Sequence, residues 1–248
     1  MGPTRRWFGI CALVSAVAMS SPAAAVPIAC PGDCTVSDAG ATLVENGGRL
    51  VDLLVNGFDQ LAQQAFFITA GVNSAMNPLV QNELASTVPL TSATQDEDTN
   101  QIVLVFSDAA LNITVTYTLV GAPRMATVSY FAVVQSLSSD DTNLALVDFI
   151  DYDLMSESGG DTVTFVGPST VSQTGKGATG TARSVSTFNF SDVGDCCASA
   201  TFDRLVDGHL SGAVGPVGPG DVSGAFQDNI SLSSQGAFTI ARELVVAL

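Results

Sequence analysis

The sequence predicts an all-β protein, a large antiparallel two-sheet sandwich of about eleven or twelve strands. Three observations carry that expectation. First, Ile113, Val115, Tyr117 and Leu119 alternate with Asn112, Thr114, Thr116 and Thr118, the mark of a strand with one face buried. Second, short runs rich in Val, Thr, Phe and Ile recur along the chain, with turn residues between them, as at Asn46-Gly47-Gly48 and Ser158-Gly159-Gly160. Third, one segment alone competes as a helix. Leu50, Leu53, Leu54, Phe58 and Leu61 are spaced to line one, but Gly57 inside the run and Asn46-Gly47-Gly48 before it favour strands. So many strands in one domain make the expected fold supersandwich-like.

The elements follow in order. Arg5 and Arg6 precede an apolar run from Trp7 to Met19, and small residues follow to Ala23-Ala24-Ala25. A charged start, a short apolar core and an A-x-A exit describe a secretory signal peptide, residues 1–25. The apolar run is shorter than the roughly 20 residues that span a bilayer. Export through the Sec route or, given Arg5-Arg6, the twin-arginine route both fit. Residues 26–40 read as a disulfide-tethered N-terminal segment, and 41–248 as a single β-sandwich domain.

Within that domain strands are expected at 41–46, 49–56, 62–69 and 101–107. A long hairpin follows, turning at Gly121-Ala122-Pro123, with Ala126, Val128, Tyr130, Ala132 and Val134 on one face of its second strand. Further strands are expected at 144–154, 161–166, 183–190, 199–206 and 225–232. In the last strand Phe238, Ile240, Leu244 and Val246 share a face that Arg242 interrupts, which suggests a rim position for Arg242. Residues 91–100, 171–182 and 211–224 read as loops, from their polar or Gly/Pro-rich composition.

Charge narrows the function classes. The chain carries 24 acidic and 8 basic residues, for a net charge of −16, and the signal takes away two arginines and no acid. Such a surface repels nucleic acid and anionic lipid. The partners that remain are proteins, a cell-surface matrix or a polysaccharide. The expected location is secreted, extracellular or at the cell surface, with the periplasm as a variant, and no transmembrane span is expected.

Cys11 leaves with the signal, so Cys30, Cys34, Cys196 and Cys197 remain. Four cysteines in an oxidising compartment imply disulfides. A bond between neighbours is strained, because bridged residues prefer Cα separations beyond the 3.8 Å of adjacent ones. The expected solution pairs Cys30 and Cys34 with Cys196 and Cys197, in either order.

The run Val55-Asn56-Gly57-Phe58-Asp59-Gln60-Leu61-Ala62-Gln63-Gln64-Ala65-Phe66-Phe67 resembles a signature of certain exported bacterial β-sandwich proteins, roughly V-(D/N)-G-x-(D/N)-Q-L-x-Q-Q-x-F. Some of these carry a PEP-CTERM sorting tail. Ile150-Asp151-Tyr152-Asp153-Leu154 and the closing Leu232-x3-Gly236-x-Phe238-x-Ile240 are similar as well, so the resemblance covers about residues 40–247. It implies an exported surface protein of this fold and says little about activity. The chain departs from the pattern by ending in Leu244-Val245-Val246-Ala247-Leu248. It also has Ala65 and Ile68 beside Phe66-Phe67, where tryptophan or tyrosine would form a ligand platform.

Candidate chemistry is sparse. Asp148, Asp151 and Asp153, with Asp161 downstream, form the densest acidic set, and clustered carboxylates suit calcium. No other cofactor is expected. On a regular strand Asp151 and Asp153 face one side and Asp148 the other, so a solvated strand end is the competing reading. A glycosidase pair needs two acids at a defined separation. The one histidine, His209, lies with Asp207 and Ser211 in a turn-like segment without a G-x-S-x-G elbow. One histidine also excludes most zinc sites. Gly175-Lys176-Gly177-Ala178-Thr179-Gly180 matches G-x-G-x-x-G in letters but lacks the strand–helix context, and reads as a glycine-rich loop. The sole tryptophan, Trp7, leaves with the signal, which weakens sugar stacking.

Three functions therefore stand side by side. The first is an exported non-catalytic domain acting through protein or matrix contacts. The second is a calcium-assisted carbohydrate-binding domain, and the third an extracellular polysaccharide hydrolase or lyase.

Overall fold

The structure is a computed structural model and describes residues 27–30, 32–70, 82–157, 159–195, 210 and 212–248. In chain order the elements are β1 (Ile28–Ala29), β2 (Cys34–Asp38), β3 (Ala41–Asn46), β4 (Arg49–Val55), β5 (Phe58–Asp59), β6 (Gln63–Ala70) and β7 (Asn82–Glu83). A one-turn helix, α1 (Leu84–Thr87), precedes β8 (Leu90–Asp96), β9 (Gln101–Ser107), β10 (Leu111–Ala122), β11 (Met125–Ser136) and β12 (Thr142–Asp151). Then come β13 (Asp161–Val166), β14 (Thr170–Gly175), β15 (Ala178–Ser184), β16 (Phe190–Asp195), β17 (Val217–Gly220), β18 (Val222–Leu232) and β19 (Ala237–Ala247).

These strands build two large antiparallel sheets packed face to face. The ten-stranded sheet runs β1-β8-β9-β10-β11-β19-β15-β14-β13-β17. The nine-stranded sheet runs β16-β18-β12-β6-β4-β3-β2, with β5 added on β4 and β7 on β6. The expected hairpin is β10–β11, in register from Leu111 opposite Ser136 to Ala122 opposite Met125. Its alternation works as read: Ile113, Val115, Tyr117, Val128, Tyr130 and Val134 all point between the sheets and are buried. From the second sheet Leu43, Leu53, Phe66, Ile68, Leu146, Ile150 and Phe226 meet them in one continuous core. Side chains that alternate along each strand can fill only one side of a sheet. A smaller cluster, Ala65, Phe67, Val147, Phe149 and Ala225, therefore lies on the outer side of the nine-stranded sheet, and Leu210 packs on it.

Several expected boundaries shift. The supposed polar connection 91–100 contains β8, which pairs with β9 near the sheet edge. There most of its side chains stay partly wet, so the hydrophobic signal is weak. The Gly/Thr/Ser-rich segment 171–182 is the hairpin β14–β15. Its turn, Lys176-Gly177, takes φ of 50° and 84°, a left-handed pair that twisted hairpins favour. The G-x-G-x-x-G letters thus spell a turn and the start of a strand. The strand expected at 183–190 is split, because the chain leaves one sheet at Ser184 and joins the other at Phe190. The strand expected at 199–206 lies outside the described residues.

The expected disulfide pairing is overturned. Cys30 bonds Cys34, with Cα atoms 5.4 Å apart. The chain joins β8 of one sheet through β1 and β3 of the other through β2. The turn between β1 and β2 brings the two cysteines within bridging distance, so the bond closes the corner where the N-terminal segment passes from sheet to sheet. Cys196 and Cys197 lie outside the described residues.

Candidate functional site

The 55–67 run is explained by folding. Asn56 and Gly57 turn the chain from β4 into β5. The Asp59 carboxylate accepts from the backbone N–H groups of Leu53, Gln60 and Leu61 at 3.3, 2.8 and 3.2 Å. Burial pushes its pKa up to about 6. Gln60, fully buried, donates to the Phe58 carbonyl and accepts from the Met155 N–H. It thereby ties this turn to the segment after β12.

Gln64 enters a polar network between the sheets. Its amide nitrogen donates to Asp148 Oδ1 at 2.6 Å, and its oxygen accepts from Tyr117 at 2.8 Å. Tyr130 donates to the other Asp148 oxygen. Arg242, expected at a rim, is 2% exposed and sits in the middle of this network. Its guanidinium pairs with Asp228 at 2.5 Å and lies 3.8 Å from Asp148. It donates to Ser184 and Ser186 at 2.7 and 2.8 Å and covers the Phe226 ring at 5.1 Å. A buried cation needs paired anions, and β12 and β18 supply them from the opposite sheet. Burial raises Asp148 and Asp228 to about 6 each, against the lowering pull of Arg242. Asp148 is therefore a core residue and stands apart from the other acids of its segment.

Those acids meet one another at the end of the same strand. Asp151 closes β12, Asp153 follows it, and Asp221 precedes β18. One carboxylate oxygen from each lies within 4.8 Å of the other two. The register explains this, because Asp151 is opposite Ser223, and two residues further along both chains Asp153 meets Asp221. Burial and mutual repulsion with Asp221, Asp153 and Asp161 push Asp151 up to about 8. Burial also raises Asp153 and Asp221, with neighbouring carboxylates adding to it. Asp161 is 1% exposed, bonds Gln173 at 2.9 Å and accepts from the Leu154 N–H. It fits against Gly175, where a Cβ would lie 1.6 Å from its Oδ1. Of the four acids read from the sequence, Asp151 and Asp153 come together, Asp161 borders them, and Asp148 is elsewhere. Asp221 was missed because it lies in the Gly/Pro-rich stretch taken for a loop. Asp207, His209 and Ser211 lie outside the described residues.

A second feature is the outer face of the ten-stranded sheet. On β9, β10, β11 and β19 its outward residues include Val103, Val105, Thr114, Thr116, Thr118, Thr127, Ser129, Phe131, Val133, Thr239 and Val245. Glu243 is the one charged side chain these four strands turn outward, and it lies in register with Arg183 of β15. Phe131, 43% exposed, stands in the middle, between Thr116 and Ala241. In a chain with 24 acids, this is a neutral surface of hydroxyls and methyls around one aromatic ring.

No protein-family model matches the sequence, and no curated protein does. Solved structures share the fold. A bacterial glucoamylase complexed with acarbose superposes with a TM-score of 0.63 at 9% identity over 87% of this chain, which spans 31% of the glucoamylase. A putative aldose 1-epimerase from Escherichia coli K12 gives 0.54 at 10% identity, covering 87% of this chain and 99% of its own. A protein from Synechocystis sp. PCC 6803 gives 0.55 at 7% identity, covering 88% and 96%. The class defined is thus a large β-sandwich of the architecture found in these proteins. No helix among the described residues is long and apolar enough to cross a membrane.

Proposed function

We propose that this protein is an exported, non-catalytic surface domain that holds a neutral matrix polysaccharide on the outer face of its ten-stranded sheet. The observation that carries the reading is the face around Phe131, whose one outward charge, Glu243, lies in register with Arg183. Sugar rings present hydroxyls at their edges and C–H groups on their faces. Rows of Thr and Ser answer the first, and an exposed aromatic ring among valines answers the second. A neutral face also selects against charged partners in a chain whose other surfaces are acidic. Two of the fold neighbours are named for work on sugars, which supports the ligand class. The signal-like N-terminus supports export.

The non-catalytic part rests on how carboxylates are used. Asp148 and Asp228 neutralise Arg242 inside the core, and Asp59 caps backbone N–H groups. Asp148 and Asp228 are buried and paired, so neither is open for acid–base work on a substrate.

The test is co-sedimentation of the mature protein with insoluble neutral polysaccharides such as cellulose, chitin and starch, with reducing ends assayed in parallel. Retention on at least one, without release of reducing sugar, is expected. Phe131→Asp should lower retention at least about tenfold, the scale of a lost aromatic anchor. Phe190→Ala, at an exposed ring on the other sheet, should not. Passage through every matrix, or full retention of Phe131→Asp, would overturn the reading.

A further inference from the structure

The end of the β12–β18 ladder carries a second site, on the outer side of the nine-stranded sheet, away from the neutral face. Asp151 and Ser223 are directly opposite in an antiparallel pair, so their side chains leave the sheet on the same side. That side is the one of Val147, Phe149 and Ala225. Asp153 and Asp221 continue the two columns, and three carboxylates converge.

The hydroxyl supplies a separate observation. Ser223 is fully buried, and its Oγ has no hydrogen-bond partner. A buried hydroxyl without a partner carries a desolvation cost that native structures rarely leave standing. Asp151 stands directly opposite it in the ladder, which puts the hydroxyl on the carboxylates' side of the sheet, where it would meet a cation as an oxygen ligand.

We propose that Asp151, Asp153, Asp221 and the Ser223 hydroxyl form a calcium site. All four donors are oxygens. The three carboxylate oxygens, within 4.8 Å of one another, fit on a sphere of about 2.4 Å radius, the calcium–oxygen distance. Magnesium requires about 2.1 Å and strict octahedral geometry, and retains more of its water. Water and bidentate carboxylates complete the six to eight ligands calcium takes. Asp161 stands behind the site as a positioning residue, because it holds the Leu154 N–H of the turn that carries Asp153. The ion would staple the end of β12 to the start of β18. The proposal does not depend on polysaccharide binding.

The experiment is calcium titration of EDTA-treated mature protein by calorimetry, paired with thermal unfolding and with magnesium in parallel. One calcium per chain is expected, with Tm raised by roughly 5–10 °C near saturation and little response to magnesium. Asp221→Asn should abolish the calcium shift while raising the Tm of the metal-free protein, because it removes like-charge repulsion. Ser223→Ala removes a group with no partner in the metal-free fold. It should leave that Tm within a few degrees and weaken calcium several-fold. Wild-type protein that takes up no calcium at millimolar concentration would overturn the proposal. So would an unchanged calcium affinity in both Asp221→Asn and Ser223→Ala.

Discussion

Replacing Arg242 with methionine isolates the energetics of the inter-sheet network. The substitution keeps most of the side-chain volume and removes the one cation that Asp148 and Asp228 share. Breaking a buried ion pair by deleting one partner costs about 3–5 kcal/mol, because the remaining charge has no counterion. For a domain of this size that is a Tm loss of roughly 10–15 °C. The cost must depend on pH. Both carboxyls sit at about 6 in the folded protein, against an ordinary value of 3.8. A carboxyl raised on folding stabilises the fold while it is protonated, and that contribution is lost as pH rises through the folded value. Wild-type protein should therefore be most stable near pH 4 and lose stability toward pH 7. Without Arg242, which lowers both carboxyls, the values climb further. The loss on substitution should be full at pH 8 and shrink to about 1–2 kcal/mol at pH 4, where neutral carboxyls need no cation and only the guanidinium's hydrogen bonds are gone. Urea unfolding of wild type and Arg242→Met across pH 4–8 measures this. A loss below about 1 kcal/mol at pH 8, or an equal loss at both ends, would show that Arg242 does not serve as the counterion of Asp148 and Asp228.

Two further predictions concern the frame. Reducing or replacing the Cys30–Cys34 bond, which spans a sequence separation of 4, should cost about 2 kcal/mol on the loop-entropy scale. A loss near 5 kcal/mol in the Cys34→Ser protein would point instead to a bond closing a very long loop. Gly180→Ala would bring a Cβ to 2.9 Å from the buried Tyr152 ring. Overpacking of that kind should lower stability by about 1–3 kcal/mol in urea melts, and an unchanged midpoint would show that the ring has room to move.

Local pattern was enough wherever burial is one-sided. The alternation in 111–136 gave the β10–β11 hairpin and placed Tyr117 and Tyr130 inside. The runs 41–46, 101–107 and 161–166 coincide with β3, β9 and β13. It was not enough at sheet edges and crossings. There β8 buries no residue fully, and β14 buries only Val171 and Gln173 among polar and glycine neighbours, so both read as loop from composition.

The acidity of the chain and its all-β class, with alternating strands enough for two sheets, were legible in the residues alone. These follow from composition and from periodicity two, which each residue shares with its near neighbours. The partnerships were decided by tertiary structure alone. Arg242 looked like an intrusion on an apolar face until the opposite sheet brought Asp148 and Asp228 to it. Asp221 looked like loop charge until the register of β12 against β18 set it beside Asp153. Cys34 looked like half of a long-range bridge until the corner between the sheets brought it to Cys30. In each case the deciding contact depends on which strands pair and in what register. That is fixed by the packing of the whole core, not by any short stretch of chain.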